Sequence, residues 1–507
     1  MLRATVLLEG CTMARVGSAA MSAAIFTLMA TTALHADVTA DEVWQAWTKQ
    51  YTAYGYQVAI GDSARAGDTL TQRDVQLTNH VEGSDFTMTI PELRLREMGD
   101  GTVEVTGSEK ISAQATSAVE GQTPLQMEIG ITQANGVTIV SGTPDALSYH
   151  VTAPELVIDM DQTTAGAQTE VPVKVWMSMS GIDGTYQVTT DGGQNETSDF
   201  AIAGMKMTAS GADPETNGTF NLAASLVNLK MKSTMRMPEG ADLEDLGAAL
   251  GKGLAMDVSG SYGATTFTVD AAAAEGPSGL SGGAQSGSFT MTLAPEGMKY
   301  AATGEGATIE AKTAQVPVPL SATLDRADFE ASFPLKSSDA PQPFTGRIAL
   351  DGLGLSEDVW KMVDAQGLLP HDPATLVVDL TGTARPLIDL FSPEAAQAQM
   401  PPVEVNSLEV KRLQLTLAGA DLSGQGGVTF DNSLGTPTPL GAVDLKLSGA
   451  NKLMDSLVKM GLMPQDQVMF ARMMLGLYAV PAGDDLMTSK IEFKEGGKIL
   501  ANGQQIQ

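Results

Sequence analysis

The sequence predicts a mainly β protein of the α+β class: a long twisted antiparallel sheet, folded into a groove or a flattened sandwich, with short helices capping its ends. Apolar and polar residues alternate from Tyr56 to about Phe333, which is the period of strands with one face in water. Turns that contain glycine interrupt this alternation and supply the backbone conformations that hairpins need. They are Gly99-Asp100-Gly101, Asn135-Gly136, Asp183-Gly184 and Asp191-Gly192-Gly193. Helical patterns occur at the start of the chain and between strands near its C-terminus.

Residues 1–36 are predicted to be a cleavable signal peptide. Translation starts at Met1 or Met13, Arg15 supplies the positive flank, and Ala19–Leu34 is apolar and rich in small residues. Cleavage before Asp37 then yields the mature chain. The apolar run is interrupted by polar residues and is short for a membrane span. We therefore expect a periplasmic protein with no integral membrane span in the mature chain.

Charge and cysteine content exclude several classes of partner and site. Lys and Arg number 30 against 60 Asp and Glu, which gives a formal net charge of −30. A field of this sign repels nucleic acid over about 8–10 Å, so neither DNA nor RNA is an expected partner. We interpret the acidity as a solvated surface that resists aggregation. The single cysteine, Cys11, lies in the leader, so the mature chain has no disulfide or thiolate site.

A helix is predicted at the start of the mature chain. In the capping box Thr39–Glu42, the Thr hydroxyl and the Glu carboxylate each bind a backbone N–H of the other residue. The apolar stripe that follows recurs at helical spacing and ends before Gly55. It consists of Val43, Trp47, Tyr51 and Tyr54. We expect Trp47 to anchor this helix on the sheet; the alternative is that Trp44 and Trp47 form an aromatic platform for a ligand.

The β-rich body contains an internal echo. Phe86–Leu93 is followed 63 residues later by Tyr149–Leu156, and both segments end in Pro-Glu-Leu. Such a repeat indicates a sheet built from similar hairpins. An amphipathic helix is predicted over Ala241–Leu250, and Glu275–Ser288, rich in Gly and Ser, is predicted to be a flexible loop or linker. Prolines then mark a boundary, so that residues 37–340 form the β-rich body with the N-terminal helix and residues 341–507 form a C-terminal part.

The C-terminal part is predicted to complete the sheet through strand–helix–strand repeats. A strand at Arg347–Leu350 and a helix at Glu357–Gln366 lead to the link Gly367–Asp372, which is followed by a strand ending at Gly382. The second link, Gly461–Asp466, repeats the Gly-Leu-x-Pro-x-Asp pattern of the first.

Two hairpins and one apolar helix are predicted around the second link. Val403–Phe430 forms a long hairpin, and Lys490–Lys494 pairs with Lys498–Ala501 across two glycines. The helix Gln465–Val480 is apolar on nearly all sides, so we expect either the sheet or an apolar ligand to cover it.

Several of these segments are similar to those of a known family. They are Val43–Trp47, Gly67–Leu70, the two links and Gly497–Gly503. On them the chain resembles, over nearly all of its mature length, an exported alphaproteobacterial family catalogued only as domain of unknown function number twenty-one twenty-five. The resemblance implies an envelope location and no assigned activity or site. More distantly, the long one-sided sheet resembles the β-groove proteins that carry lipids across bacterial envelopes.

Motifs of catalysis are present without the context that they need. Gly279–Gly283 fits G-x-S-x-G, but it lies in a Gly/Ser-rich segment rather than between a hydrophobic strand and a helix. Ser456–Lys459 fits S-x-x-K, but its companion motifs are absent. His80, His150 and His371 lack metal-ligand spacing. We therefore predict a protein that is not an enzyme and has no cofactor; a hydrolase with unrecognised motifs remains an alternative.

Methionine offers a second alternative. Three pairs stand at strand spacing, so that each pair points to one sheet face. They are Met177 and Met179, Met205 and Met207, and Met235 and Met237. Clustered thioethers are soft ligands for Cu(I), whereas methionine also fills irregular apolar interiors and adaptable binding surfaces. The second reading is preferred, and a Met-dependent copper protein is kept as an alternative.

The preferred function is binding without catalysis. We expect a periplasmic envelope protein that offers a concave apolar sheet face to a lipid, another hydrophobic ligand or an envelope partner. In the last apolar helix, four residues are expected to contact an apolar ligand: Phe470, Met473, Met474 and Leu477.

Overall fold

The structure, a computed structural model, describes residues 37–81, 83–117, 125–164, 173–212, 218–241, 245–273, 276–398, 402–433 and 437–507. The predicted signal peptide lies outside the described residues. Within them the chain forms one large antiparallel sheet and a few short helices, which confirms the mainly β prediction. Two compact units are present: unit 1 contains the described residues up to Thr234 with Tyr262–Leu280, and unit 2 contains Met235–Ser261 with Ser281–Gln507. The predicted division at residue 340 stays an interpretation of the sequence.

The first fifteen strands lie between the N-terminal helix and Ala284, and they include all the strands of unit 1. They are β1 (Gln57–Ala59), β2 (Asp62–Ala66), β3 (Thr69–Val81), β4 (Ser84–Glu97), β5 (Val103–Gly107), β6 (Lys110–Ser117), β7 (Leu125–Ala134), β8 (Val137–Thr143), β9 (Ala146–Thr164), β10 (Val173–Thr190), β11 (Gly193–Ala212), β12 (Thr219–Pro238), β13 (Ala255–Tyr262), β14 (Thr265–Ala273) and β15 (Gly276–Ala284).

The remaining strands all belong to unit 2. They are β16 (Ser286–Ala294), β17 (Gly297–Thr313), β18 (Val316–Pro334), β19 (Gln342–Leu355), β20 (Ala374–Pro386), β21 (Val403–Leu417), β22 (Ala420–Asp431), β23 (Thr438–Ser448), β24 (Val480–Gly483), β25 (Leu486–Phe493), β26 (Ile499–Ala501) and β27 (Gln504–Gln505). The helices are α1 (Ala40–Ala53), α2 (Leu246–Gly251), α3 (Glu357–Val363), α4 (Pro393–Gln397), α5 (Ala450–Lys459) and α6 (Gln465–Tyr478), with one 3-10 turn at Glu495–Gly497.

In unit 1, two neighbouring positions in the sheet, between the long strands β4 and β9, are each shared by two short strands. β4 pairs with β3 on one side and, on the other, with β6 near its start and β5 near its end. β9 pairs in the same way with β8 and β7, and β5 and β6 pair in turn with β8 and β7. β9 then pairs with β10, and β10 with β11. This arrangement places β4 and β9 at equivalent positions, in agreement with the sequence echo that they carry.

The echoed Pro-Glu dipeptides change the face that each strand buries. Phe86 and Met88 of β4 are buried before Pro91-Glu92, and Leu95 is buried after it, so the buried positions change from even to odd numbers. Tyr149 and Val151 of β9 precede Pro154-Glu155 in the same way, and Ile158 follows. In a regular strand, the buried residues all have even numbers or all have odd numbers. At each Pro-Glu dipeptide the buried positions therefore shift by one residue.

Each neighbouring strand accommodates this step with a left-handed residue. Asp74 (φ +49°) lies between the pairs Arg73–Glu92 and Val75–Ile90, and Gly181 (φ +60°) lies between Ser180–Glu155 and Ile182–Ala153. Pro lacks the N–H that would bond across the ladder at this point. The repeat therefore encodes a local change of strand direction at two equivalent places.

Helix α1 begins at the predicted capping box and packs its apolar stripe on the sheet. Both hydrogen bonds of the box are present, from Glu42 N to Thr39 Oγ1 (3.3 Å) and from Thr39 N to Glu42 Oε2 (2.9 Å). Val43 is fully buried and Trp47 is buried. Arg65 of β2 binds Asp41 and Glu97 at 2.5 and 2.6 Å, and Glu97 also accepts from the N–H of Ala40. The helix is thus held at both its apolar face and its first turn.

Unit 2 is a meander in which successive strands pair antiparallel from β16 to β23, after which β23 pairs with β25. Helix α3 is inserted between β19 and β20, and α5 and α6 lie between β23 and β24. The predicted strand–helix–strand segment and both predicted hairpins are therefore confirmed. β19 is longer than the predicted strand Arg347–Leu350, whereas α3 ends at Val363 rather than Gln366. Ser456 Oγ of α5 donates to Leu368 O (3.1 Å), so the first link contacts the helix that precedes the second.

Three predictions for the middle of the chain need correction. Asp183-Gly184 is not a turn, because both residues lie inside β10 and pair with Ala201 and Phe200 of β11. The predicted loop Glu275–Ser288 is wrong for its described residues, 276–288, because β15 and the start of β16 occupy them; Glu275 lies outside the described residues. Small residues tolerate a strand when neighbouring strands provide the pairing, so tertiary context overrides composition here. The helix predicted over Ala241–Leu250 is found at Leu246–Gly251, where Asp245 accepts from Ala248 N (2.9 Å); residues 242–244 lie outside the described part of the chain.

Candidate hydrophobic ligand site

Side chains of unit 1 enclose an apolar cavity of about 330 Å³. Its lining residues come from α1 and from every strand between β3 and β12. The volume falls in the range of about 300–1,000 Å³ that small-molecule pockets occupy. This cavity is therefore the candidate ligand site.

The sheet must curve strongly to form this cavity. With β5 and β6 sharing one position and β7 and β8 another, β3 to β12 occupy eight successive positions. At about 4.8 Å per strand, a flat sheet of this width would extend over about 34 Å. Strands that far apart cannot line one small cavity unless the sheet closes around it, so the unit 1 sheet presents a concave apolar face.

Helix α1 contributes one wall of the cavity. Trp44, Trp47 and Tyr51 line it, and their spacing of three and four residues places them on one helix face. Trp47 is 7% exposed, its Nε1 donates to the hydroxyl of Tyr149 (3.2 Å), and the two rings stack at 6.4 Å. The two roles that the sequence left open for Trp47, helix anchor and ligand contact, are both compatible with this position.

The surroundings of the aromatic residues have low polarity. Burial raises the pKa of the Tyr149 hydroxyl to about 12. Burial likewise raises the pKa of Tyr51 and of Tyr186, whose ring lies 6.0 Å from that of Tyr149. These hydroxyls stay protonated at physiological pH, because their anions would lose hydration in this environment.

Equivalent residues of the sequence echo line the cavity together. Met88, Ile90 and Leu93 come from β4, and Val151, Ala153 and Leu156 come from β9. The Pro-Glu step lies within each triplet, and it lets residues on both sides of the step face the cavity. The echo was therefore the sequence signal for this site, although sequence reasoning took it only as a sign of repeated hairpins.

Four neutral polar side chains interrupt the apolar lining, and sequence reasoning singled out none of them. They are Gln133, Thr138, Ser198 and Ser233. Ser198 of β11 and Ser233 of β12 bond to each other with an Oγ–Oγ distance of 2.6 Å. Gln133 Nε2 donates to Ser108 O at 3.3 Å, and Thr138 is 2% exposed. Their pattern in the sequence does not differ from that of other strand residues, so only the three-dimensional arrangement identifies them.

The structure brings together four of the six methionines that were copper candidates. Met177 pairs directly with Met207, and Met179 with Met205, so the four lie on one face of β10 and β11. Met177 and Met179 pack against the apolar core around Leu77, and Met179 lines the cavity. Met235 and Met237 belong to unit 2, where Met237 packs near Leu250.

The four candidate residues of the last apolar helix lie in unit 2, on α6. Phe470, Met473 and Leu477 are 59%, 62% and 46% exposed, and Met474 is half-buried. Among the described residues the protein itself leaves α6 largely uncovered, since only Val468 of this helix is buried, so cover by the sheet is not found. Arg472 fixes the helix to α5 through Asp455 (2.7 Å) and Asn451 (3.0 Å), so a narrow contact is sufficient to hold it.

The residues of the rejected catalytic motifs and His371 take part in secondary structure or in packing contacts. Ser281 lies on β15, and the hydroxyl of Ser456 donates a hydrogen bond to Leu368 O. His371 stacks on Trp360 with ring centroids 4.2 Å apart. Among the described residues no group of His, Cys, Asp or Glu has the arrangement of a metal site.

No helix in the described part of the chain has the length and hydropathy to cross a membrane.

Comparison with known proteins identifies one family. Residues 267–501 match the family described as an uncharacterised protein conserved in bacteria, DUF2125. The chain is similar to DUF2125 over this part. The match includes both links and most of the last segment of the resemblance seen in the sequence; Val43–Trp47 and Gly67–Leu70 lie before it. No curated protein and no solved structure matches the chain.

Proposed function

We propose that this protein binds a hydrophobic ligand in the unit 1 cavity and performs no catalysis. The observation that carries the proposal is an apolar cavity of about 330 Å³ lined by one helix and ten strands. Protein interiors are close-packed, and voids larger than a water molecule are few. A space of this size between long, well-paired strands is costly to maintain unless a ligand fills it.

The proposed location is the bacterial periplasm. The predicted leader over residues 1–36 and the cysteine-free mature chain support export, and the DUF2125 match supports a bacterial origin. A carrier or sensor of apolar molecules has a function in that aqueous compartment, because such molecules do not cross it freely.

Binding is tested with the full chain and the neutral fluorescent probe N-phenyl-1-naphthylamine. We expect saturable fluorescence enhancement at one site per chain. The variant Ala153→Leu places extra methyl groups in the cavity, since Ala153 is 8% exposed and lines it. It should weaken probe binding at least tenfold.

The matched control is Ala64→Leu, which makes the same change at an exposed position of β2. It should bind the probe as the wild type does. If the cavity is only a packing defect, the wild type gives no saturable signal and Ala153→Leu is more stable than the wild type, because it fills a void. That result would remove the basis of the proposal.

The pairing of Met177 with Met207 and of Met179 with Met205 favours one alternative function, Cu(I) binding. Directly opposite residues have Cβ atoms about 4.5–5.5 Å apart, which suits shared coordination by thioethers. Titration of Cu(I) against a competing chromophoric chelator, with Met205→Leu/Met207→Leu beside the control Met256→Leu, tests it. Tight binding that only the double variant loses would support this alternative.

A further inference from the structure

The cavity of unit 1 has no charged side chain among the described residues that line it. Its neutral polar groups include the amide of Gln133 and the hydroxyls of Thr138, Ser198 and Ser233. Each of these groups both donates and accepts hydrogen bonds without carrying charge. The remaining lining consists of aliphatic and aromatic residues, methionine and glycine.

We propose that the ligand of this cavity is an uncharged amphiphile, with a hydrocarbon body and a hydroxyl, ester or amide group. The inference rests on the proposed function and specifies its ligand class. An ionised carboxylate, phosphate or ammonium buried without a partner costs far more than a neutral polar group that finds a hydrogen bond. The lining supplies such hydrogen bonds and supplies no counter-ion.

The cavity wall itself shows that charge is disfavoured there. Burial raises the pKa of Tyr51, a lining residue, because the surroundings destabilise its anion. The same physical effect acts on the head group of a bound ligand. The formal net charge of −30 adds repulsion against any anionic ligand that approaches.

The serine pair is the place for the polar group of the ligand. Ser198 and Ser233 are half-buried, whereas Thr138 is 2% exposed, so the serines lie nearer to solvent. Their mutual hydrogen bond at 2.6 Å uses one of the two hydroxyl protons. The second proton and the remaining lone pairs can bond to a hydroxyl or an ester carbonyl while the hydrocarbon body contacts the apolar wall.

Displacement of N-phenyl-1-naphthylamine by ligands that share one chain length tests the inference. Decanol, decanoate and decyltrimethylammonium differ in the charge of their head group and would be compared at pH 8 below their aggregation concentrations. We expect decanol to displace the probe at a concentration at least tenfold lower than either ion. Decanoate that competes as well as decanol would overturn the inference. Absence of probe binding to the wild type would overturn the proposed function and the inference with it.

A designed change of charge provides the reciprocal test. Ser233→Lys places a cation at the serine pair and should lower the inhibition constant of decanoate at least tenfold while weakening decanol. The control Thr234→Lys adds the same charge at the adjacent exposed position of β12 and should leave the order unchanged. Equal effects of the two variants would show that net charge, rather than the lining of the cavity, sets the preference. The wild-type series decides the question if Ser233→Lys fails to fold.

Discussion

At the scale of single residues, Trp47 belongs both to the buried core of unit 1 and to the lining of its cavity. The indole is 7% exposed, stacks on Tyr149 and donates to the hydroxyl of that residue, and it also lines the cavity. Large aromatic side chains contribute more to core stability than other residues because they bury the most area.

Replacing Trp47 should therefore be costly. We expect Trp47→Ala to lower the free energy of unfolding by about 3–5 kcal/mol, as for other buried large-to-small changes. Trp47→Phe keeps most of the ring but leaves the Tyr149 hydroxyl without its donor, and should cost about 1–3 kcal/mol. Urea denaturation measures both. A loss below about 1 kcal/mol for Trp47→Ala, within the range of surface substitutions, together with lost probe binding would show that the residue serves the ligand and not the fold.

A second residue, Asp364, makes the stability of the structure around the first link depend on pH. Its fully buried carboxylate accepts from Leu368 N (3.0 Å) and Leu369 N (2.7 Å), and His371 Nε2 lies 3.7 Å away. The N–H of Leu368 is the main reason that the pKa of Asp364 lies below its usual value, and burial opposes this effect. The unfolded chain thus binds this proton more tightly than the folded one.

The stabilisation by Asp364 is therefore complete above the unfolded pKa of about 3.9 and is lost as the pH falls through the lower folded pKa. We expect Asp364→Asn to lower the free energy of unfolding at pH 7, because the buried N–H groups lose part of their acceptor, and the difference from wild type to shrink below about pH 3.9. Urea denaturation at several pH values measures it. Asp358→Asn, at an exposed position of α3, is the control. A constant difference across this range would contradict the assignment.

At the scale of elements, helix α5 receives its N-terminal cap from a distant turn. Gly449 at its N-cap (φ +74°) has no side chain to bond the first N–H groups. The carboxylate of Asp485, in the turn between β24 and β25, accepts from Asn451 N (3.0 Å) and Lys452 N (3.0 Å). A carboxylate at this end also interacts favourably with the helix dipole.

Asp485→Ala should then cost about 0.5–2 kcal/mol, the usual cost of losing an N-cap. Asp484→Ala removes the adjacent carboxylate, which is 98% exposed, and should be nearly neutral. Thermal or urea unfolding distinguishes the two. Equal effects would mean that general surface charge, and not the cap, stabilises this end of α5.

Because α6 is largely exposed, we expect substitution of its exposed methionines to change the stability of the protein little. Because Met473 is 62% exposed, Met473→Ala should change the free energy of unfolding by less than about 0.5 kcal/mol. Val468 is 4% exposed, and Val468→Ala should cost about 1.5–3 kcal/mol. If the exposed side of α6 contacts an apolar ligand, Met473→Ala also weakens binding of a fluorescent lipid probe. A large melting shift in Met473→Ala without any probe binding to the wild type would exclude that role.

At the scale of the whole molecule, the position of the mature N-terminus matters for unit 1. Val38 is 3% exposed and its N–H donates to Gly101 O (3.3 Å), and Ala40 is fully buried. A cleavage site beyond these residues would remove packed chain together with the Thr39 cap.

We therefore expect exported protein to begin at Asp37, as N-terminal sequencing of the periplasmic fraction would show. A variant that begins at Trp44 loses the capping box and the buried residues before it, and should unfold in unit 1 at a lower urea concentration. Tryptophan fluorescence reports this unit, because Trp44, Trp47 and Trp176 lie in it. A natural start beyond Val43 would contradict the prediction.

Elements whose causes are local could be predicted from the sequence. The Thr39–Glu42 box fixed the start of α1, the alternation of period two fixed the strands, and the Gly-containing turns fixed many of the hairpins, because each depends on residues a few positions apart. Which strands share a position in the sheet, and hence that Ser198, Ser233 and Met88 line one cavity, could not be predicted without the three-dimensional fold. The strand conformation of most of residues 276–288, the capping of α5 by Asp485 and the exposure of α6 likewise follow from the tertiary structure. Each of these depends on contacts between residues far apart in the chain, whose free energies local pattern and propensity do not contain.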